Sequence, residues 1–148
     1  MVKVMQRWHR LLGLKVQSSS WYKARLREEL AERREARTFL HRLSETADVF
    51  YTLGRAQCDG HPLRQFPTFH LYKHPPIYGY MLLKFTSRWA FFRTAAFLSG
   101  STAYRHINEV VNPARDFKIR EVASRHPVEL NKFEFACHRL RHFWPLLP

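Results

Sequence analysis

Between Ile77 and Leu98 the chain is apolar on nearly every face of a helix, and no other stretch limits its fold so strongly. The run is long enough to cross a bilayer, but Lys84, Arg88 and Arg93 interrupt it. Each would cost roughly 2.5–3.5 kcal/mol near the middle of a spanning helix. No transmembrane span is therefore expected. A helix of this kind must instead be buried in protein, so the other elements are expected to pack around it. Pro75-Pro76 is suited to open it, and Gly100 to follow its last turn in the left-handed conformation. The predicted helix runs roughly from Ile77 to Ser99.

The flanking sequence also reads as helix. Ser20 suits an N-cap for a helix to about Leu43, with Tyr22, Leu26 and Leu30 on one face. Ala36, Leu40 and Leu43 continue a ragged apolar stripe. The charged run EELAERREAR reads as a solvated face, with Glu29 and Arg33 as a favourable i,i+4 pair. Ser44 can cap a second helix through about Gln57 that buries Val49, Phe50, Leu53 and Ala56, and Asp59-Gly60 is a turn signal that ends it. Residues 61–76 are rich in proline and aromatic residues and read as an extended connector, with a short strand at Phe66, Phe69, Leu71 and Tyr72 as an option. Another helix is expected from Ser101 to just before Pro113, burying Ile107, Val110 and Val111. The expected fold is all-α, a compact bundle of five or six helices with a proline/aromatic-rich connector. Residues 21–148 form a single helical domain in this reading.

Net charge is +13, and it is unevenly spread. Lys3, Arg7, Arg10, Lys15, Lys23, Arg25 and Arg27 fall in residues 1–27 with no acid among them, which leaves +6 for residues 28–148. A block of this kind attracts polyanions: nucleic acid, anionic lipid or an acidic protein face. Residues 1–20 are amphipathic if helical, with Met1, Met5, Trp8 and Leu12 on one side and Lys3, Arg7 and Arg10 on another. Gly13 and the Ser18-Ser19-Ser20 run break the pattern. The segment reads as a basic tail, a mitochondrial targeting leader, or a helix that binds a membrane surface or a partner. Two cysteines, Cys58 and Cys137, with no signal peptide point to reduced, structural thiols. The expected location is intracellular: nucleus or cytoplasm, with the mitochondrion as alternative.

The best local motif is FKIREVASRHPVELNKFEFACHRLR, residues 117–141. Read as a helix-turn-helix, Ile119, Val122 and Ala123 pack the first helix, Val128 fills the turn, and Phe133 and Leu140 hold the second helix down. Arg120, Arg125, Lys132, Arg139 and Arg141 would meet phosphates or an acidic partner, and Asn131 is the best placed to read a base edge. Pro127 in the turn, and Glu129 and Glu134 on the second helix, depart from that pattern. A plain helical hairpin has the same signature.

Metal and catalytic signatures are sparse. His138 and His142 lie one turn apart beside Cys137, Cys58 and His61 make a second pair, and His70 and His74 are four apart. No second CxxC and no HExxH completes a zinc set, so these read as ordinary imidazoles and thiols, and no metal or other cofactor is expected. There is no glycine-rich phosphate loop, no G-x-S-x-G elbow and no pair of carboxylates in an apolar setting. Asp48, Asp59 and Asp116 sit where cap or turn acids sit. No small-molecule substrate and no enzymatic activity are indicated. The terminal HFWPLLP is aromatic enough that it is expected to fold back on the helices or to dock a partner.

The blocks WYKARLREELAERR, LSETADVFYTLGRA, DGHP, NPARDFKIREVASRHPVELNKF and WPLLP together resemble a group of small proteins from filamentous fungi. The resemblance covers about residues 21–148. A looser similarity is to fungal biofilm architecture factors, small proteins tied to colony and biofilm morphology. It implies a developmental or accessory role and assigns no site residue. The function expected from the sequence is that of a non-enzymatic regulatory or interaction protein that binds an acidic partner or nucleic acid. The alternative is a mitochondrial or membrane-surface accessory protein directed by its basic leader.

Overall fold

A computed structural model describes residues 2–63 and 75–144. Their regular structure is helical throughout: α1 (Val2–Leu12), α2 (Ser19–Glu35), α3 (Phe39–Cys58), α4 (Pro75–Leu98), α5 (Asp116–Arg125) and α6 (Leu130–Arg141), with one 3-10 turn at Tyr104–His106. The all-α expectation holds. The proposed strand at Phe66, Phe69, Leu71 and Tyr72, and the His70 and His74 pair, lie outside the described residues. The chain divides into two units, residues 1–82 and 83–148, and α4 contributes to both. Residues 1–20, read from sequence as a leader or tail, fall in the first unit, and residues 21–148 extend over both.

In the first unit, α1 stops at Gly13, whose φ of 62° only glycine adopts without strain. Leu12 is completely buried and His9 nearly so, and α1 packs on α3. The Ser18 hydroxyl, two residues before the expected cap, accepts from the Trp21 amide at 3.2 Å and starts α2. Tyr22 near the start of α2 donates to Asp59 at the end of α3. At the other end of the pair, Arg33 Nε donates to Thr46 Oγ1 at 2.9 Å. These two links make α2 and α3 antiparallel. Leu26 of α2 and Ala47, Val49 and Leu53 of α3 are buried. Phe50 meets Tyr78 of α4 edge-on at 5.2 Å.

The long helix expected from Ser20 to Leu43 is two helices. Residues 36–38 break it without a glycine or proline: the Ala36 amide closes the last turn on Glu32 O, and the Thr38 hydroxyl accepts from the His41 amide at 3.1 Å to start α3. Ser44 is buried inside α3, five residues past its start. Its assigned role belongs to Thr38. Leu40, expected in the apolar stripe, is 72% exposed.

In the second unit the core gathers Phe91, Phe92, Ile107, Ile119, Val122 and Phe133. Gly100 has φ 84° and closes α4 as expected, with the Ser101 amide reaching Ala96 O at 3.0 Å. The helix expected from Ser101 to Asn112 is reduced to the single 3-10 turn. Arg93 explains why: its Nε donates to Ile107 O at 3.1 Å and its Nη2 to Asn108 Oδ1 at 2.7 Å. A carbonyl spent on that guanidinium, within a run rich in β-branched residues, favours extended chain over helix. Trp144 folds back as expected, edge-on to Phe91 at 5.5 Å and with Nε1 donating to Ser87 Oγ at 2.8 Å. Among the described residues, no helix is long and apolar enough to cross a membrane.

Candidate partner-binding site

Helices α5 and α6 pack as a hairpin around Ile119, Val122, Ala123 and Phe133, all buried as the motif predicts. The turn between them spans residues 126–129. Pro127 and Val128 occupy it, and Val128 packs against the core. The hairpin is therefore present.

Four of the five expected cations are engaged by acids of the same unit. Arg120 Nε pairs with Glu134 at 2.7 Å, and that hydrogen bond lifts the guanidinium pKa. Arg125 pairs with Glu121 and, at 3.6 Å, with Glu109. Lys132 pairs with Glu129 at 2.8 Å, which likewise raises its pKa. Arg141 turns inward, donating to Pro113 O at 2.7 Å and to Asp116 at 2.6 Å. That bond holds the Asp116 carboxyl below its ordinary range. Asp116 thus sits at the start of α5 as expected, and anchors the end of α6 as well. Asn131 is exposed on the first turn of α6, next to Glu129.

Arg139 is the exception, and it lies on a different kind of surface. Lys132, Phe135, Ala136, Arg139, Leu140 and Phe143 recur at three- and four-residue spacing along α6 and its end. With Leu98 from the end of α4 they line an open groove of about 390 Å³. Phe135 is 64% exposed, Phe143 81% and Leu98 58%. The Arg139 guanidinium lies over the Phe135 ring, 5.9 Å from its centroid. The groove thus has an aromatic floor with two cations on its rim. Sequence reading names Lys132 and Arg139 as binding residues and gives the terminal HFWPLLP, which includes Phe143, either a folded-back or a partner-docking role, but it gives Phe135 no role.

No family model, curated protein or solved structure matches this chain.

The side chains must therefore supply the functional reading. Both thiols are free, and burial pushes Cys137 up to about 12 and raises Cys58 as well. Among the described residues, the potential metal ligands that come together are Glu29, Glu32 and Glu45 of the first unit, not the histidines and cysteines singled out from sequence. Asp48, expected as a cap acid, lies in mid-helix on α3, close enough for its charge to act on Glu29.

Proposed function

We propose that this is a non-enzymatic interaction protein whose second unit captures an acidic amphipathic helix in the groove along α6. The observation that carries this reading is the exposed row Phe135, Phe143 and Leu98 bordered by Lys132 and Arg139. Apolar anchors at helical spacing suit the stripe of a partner helix, and rim cations suit acids flanking that stripe. Of the two occupants expected from sequence, nucleic acid is the less favoured. Phosphate binding needs cations free to displace the counterions condensed on the nucleic acid, and Arg120, Arg125 and Arg141 are held by Glu134, Glu121 and Asp116. On the resemblance to fungal morphology proteins, the capture serves a developmental or accessory process rather than metabolism.

The test uses a synthetic peptide with leucines at i, i+3, i+4 and i+7 and glutamates elsewhere, its lysine counterpart, and a short DNA duplex, each labelled for anisotropy. The acidic peptide should bind saturably. Phe135→Ala with Phe143→Ala, or Arg139→Glu alone, should weaken it by more than about tenfold, as loss of a central anchor does. Arg120→Ala should leave it unchanged. Duplex binding with a steep salt slope, lost in Arg139→Ala with Arg141→Ala, would instead establish the nucleic-acid reading.

A second reading has its own observation. The outward side of α1 carries Val4 and Leu11, 63% and 65% exposed, beside exposed Arg7 and Arg10. Such a face suits the surface of an anionic membrane. Co-sedimentation with phosphatidylserine vesicles, reduced by Leu11→Glu and absent with neutral vesicles, is the expected result if α1 does this.

A further inference from the structure

We propose that α3 holds α1 in a closed position and that protonation of His9 releases it onto an anionic membrane surface, a regulation that rests on the membrane reading of α1. At about 100° per residue, Leu11, Val4, Trp8, Leu12 and Met5 fall within one arc of about 120°, and Arg7 and Arg10 lie outside it. The folded unit shows only part of that arc. Val4 and Leu11 are exposed, Met5 and Trp8 are half-buried, and Leu12 is wholly buried where α1 packs on α3. A helix lying in a membrane interface inserts its whole apolar face, so the docked helix presents an incomplete one.

His9 belongs to the docked side and makes it sensitive to pH. It is 8% exposed, and neither ring nitrogen has a hydrogen-bond partner. The ring lies edge-on to Trp8 at 4.8 Å and 5.6 Å from the Tyr51 ring, and its Nε2 is 3.4 Å from where a Cβ on Gly54 would stand. Tyr51, Arg55 and Asp59 are the titratable and charged groups of α3 that act on it or face it. Arg55, which donates to the Lys15 carbonyl, opposes an imidazolium, and Asp59 favours one but already accepts from Tyr22. A proton added to this ring meets a guanidinium and no waiting acceptor. It therefore favours any arrangement that carries the ring into water.

The fold supplies a hinge for that movement. Residues 13–18 join α1 to α2, and Gly13 stands in them at φ 62°. Undocking α1 breaks the bond between Arg55 and Lys15, while the links from Tyr22 to Asp59 and from Arg33 to Thr46 keep α2 on α3. Docking lowers the imidazole pKa from 6.5 to about 4, so the closed form is favoured above that interval and loses ground as pH falls through it. Between pH 7.5 and 5.5 the ratio of closed to open form should drop about tenfold.

The test combines hydrogen exchange and vesicle binding of the full chain at these two pH values. Exchange in α1, corrected for the intrinsic chemical rate, should speed up about tenfold at pH 5.5 while α2 and α3 stay protected. Binding to phosphatidylglycerol vesicles, whose charge is constant over this range, should tighten by a similar factor. His9→Phe should lose the exchange response and most of the binding response, whereas His106→Gln, at an exposed histidine of the second unit, should keep both. Gly54→Leu opens the contact by bulk alone, so with α2 and α3 still protected it should bind at pH 7.5 at least as tightly as the parent at pH 5.5. Faster exchange in all three helices marks global unfolding and overturns the proposal, as does an exchange response that survives in His9→Phe. Equal vesicle binding at both pH values overturns the release and leaves the membrane reading standing. No binding by the parent at either pH, or by Gly54→Leu, removes that reading and the proposal together.

Discussion

His9 and Glu29 are both buried polar groups in the first unit, and they make its stability depend on pH in opposite senses. Neither ring nitrogen of His9 has a hydrogen-bond partner among the described residues. Burial, followed by the nearby Arg55 charge, lowers its pKa from 6.5 to about 4. The unfolded chain therefore takes up a proton that the folded chain refuses, and stability is lost as pH falls from about 6.5 towards 4. One pH unit inside that window amounts to about 1.4 kcal/mol. His9→Phe keeps an aromatic ring beside Trp8 and Tyr51 but cannot titrate. It should gain about 1 kcal/mol on the parent between pH 7.5 and 5.5, as read by denaturant melts; an unchanged gap would remove His9 as the cause. For Glu29 the folded value of about 8 lies above the ordinary 4.5, so its cost grows as pH rises through that interval. Glu29→Gln, measured in EDTA, should be more stable than the parent by about 1–3 kcal/mol at pH 8 and equal to it at pH 4. Equal stability at both values would mean that the carboxyl is solvated.

At the scale of elements, Gly54 shows how closely α1 lies on α3. A Cβ added there would meet His9 Nε2 at 3.4 Å and Met5 at 3.8 Å, which is ordinary contact. Gly54→Ala should therefore keep the packing and raise stability by about 0.5–1 kcal/mol through helix propensity. Gly54→Leu has no room and should lower the melting temperature by forcing α1 away. If both variants behave alike, α1 does not rest on this position. The same elements show what a sequence reader could see. The end of α4 at Gly100 and of α3 at Asp59-Gly60 were legible because glycine marks a left-handed residue. The break at Thr38 was not, because a hydroxyl cap in ordinary helix-forming sequence leaves no such mark. Residues 101–112 looked helical by apolar spacing, and only the long-range bonds from Arg93 reveal otherwise. The candidate sites were half legible for the same reason. Lys132 and Arg139 could be named from sequence, but the burial of Glu29 within a run of charges, and the exposure of Phe135, depend on which face meets a neighbouring helix.

At the scale of the whole molecule, the +13 charge has a structural distribution that composition conceals. In the second unit eleven cations face five acids: ion pairs engage Lys118, Arg120, Arg125, Lys132 and Arg141, and Arg139 stands beside an aromatic groove where positive charge meets exposed apolar surface. In the first unit the basic beginning of the chain is also part of the packing. Leu12 is wholly buried, and the carbonyl of Lys15 accepts from Arg55, whose guanidinium also stands 5.7 Å from Trp21 and 6.0 Å from Tyr22. A dispensable tail and a packed helix predict different results when residues 2–16 are deleted. Removing a tail would relieve like-charge repulsion and leave the melting temperature unchanged or slightly higher. Removing this segment uncovers the α3 surface under His9 and Leu12 and strips Arg55 of its carbonyl. Loss of the Leu12 side chain alone should cost about 2–5 kcal/mol. The deletion should therefore melt lower and less cooperatively than the parent, and Leu12→Ala should reproduce part of that loss at unchanged net charge. A deletion variant that melts like the parent would return residues 2–16 to the status of a tail, whatever their helicity.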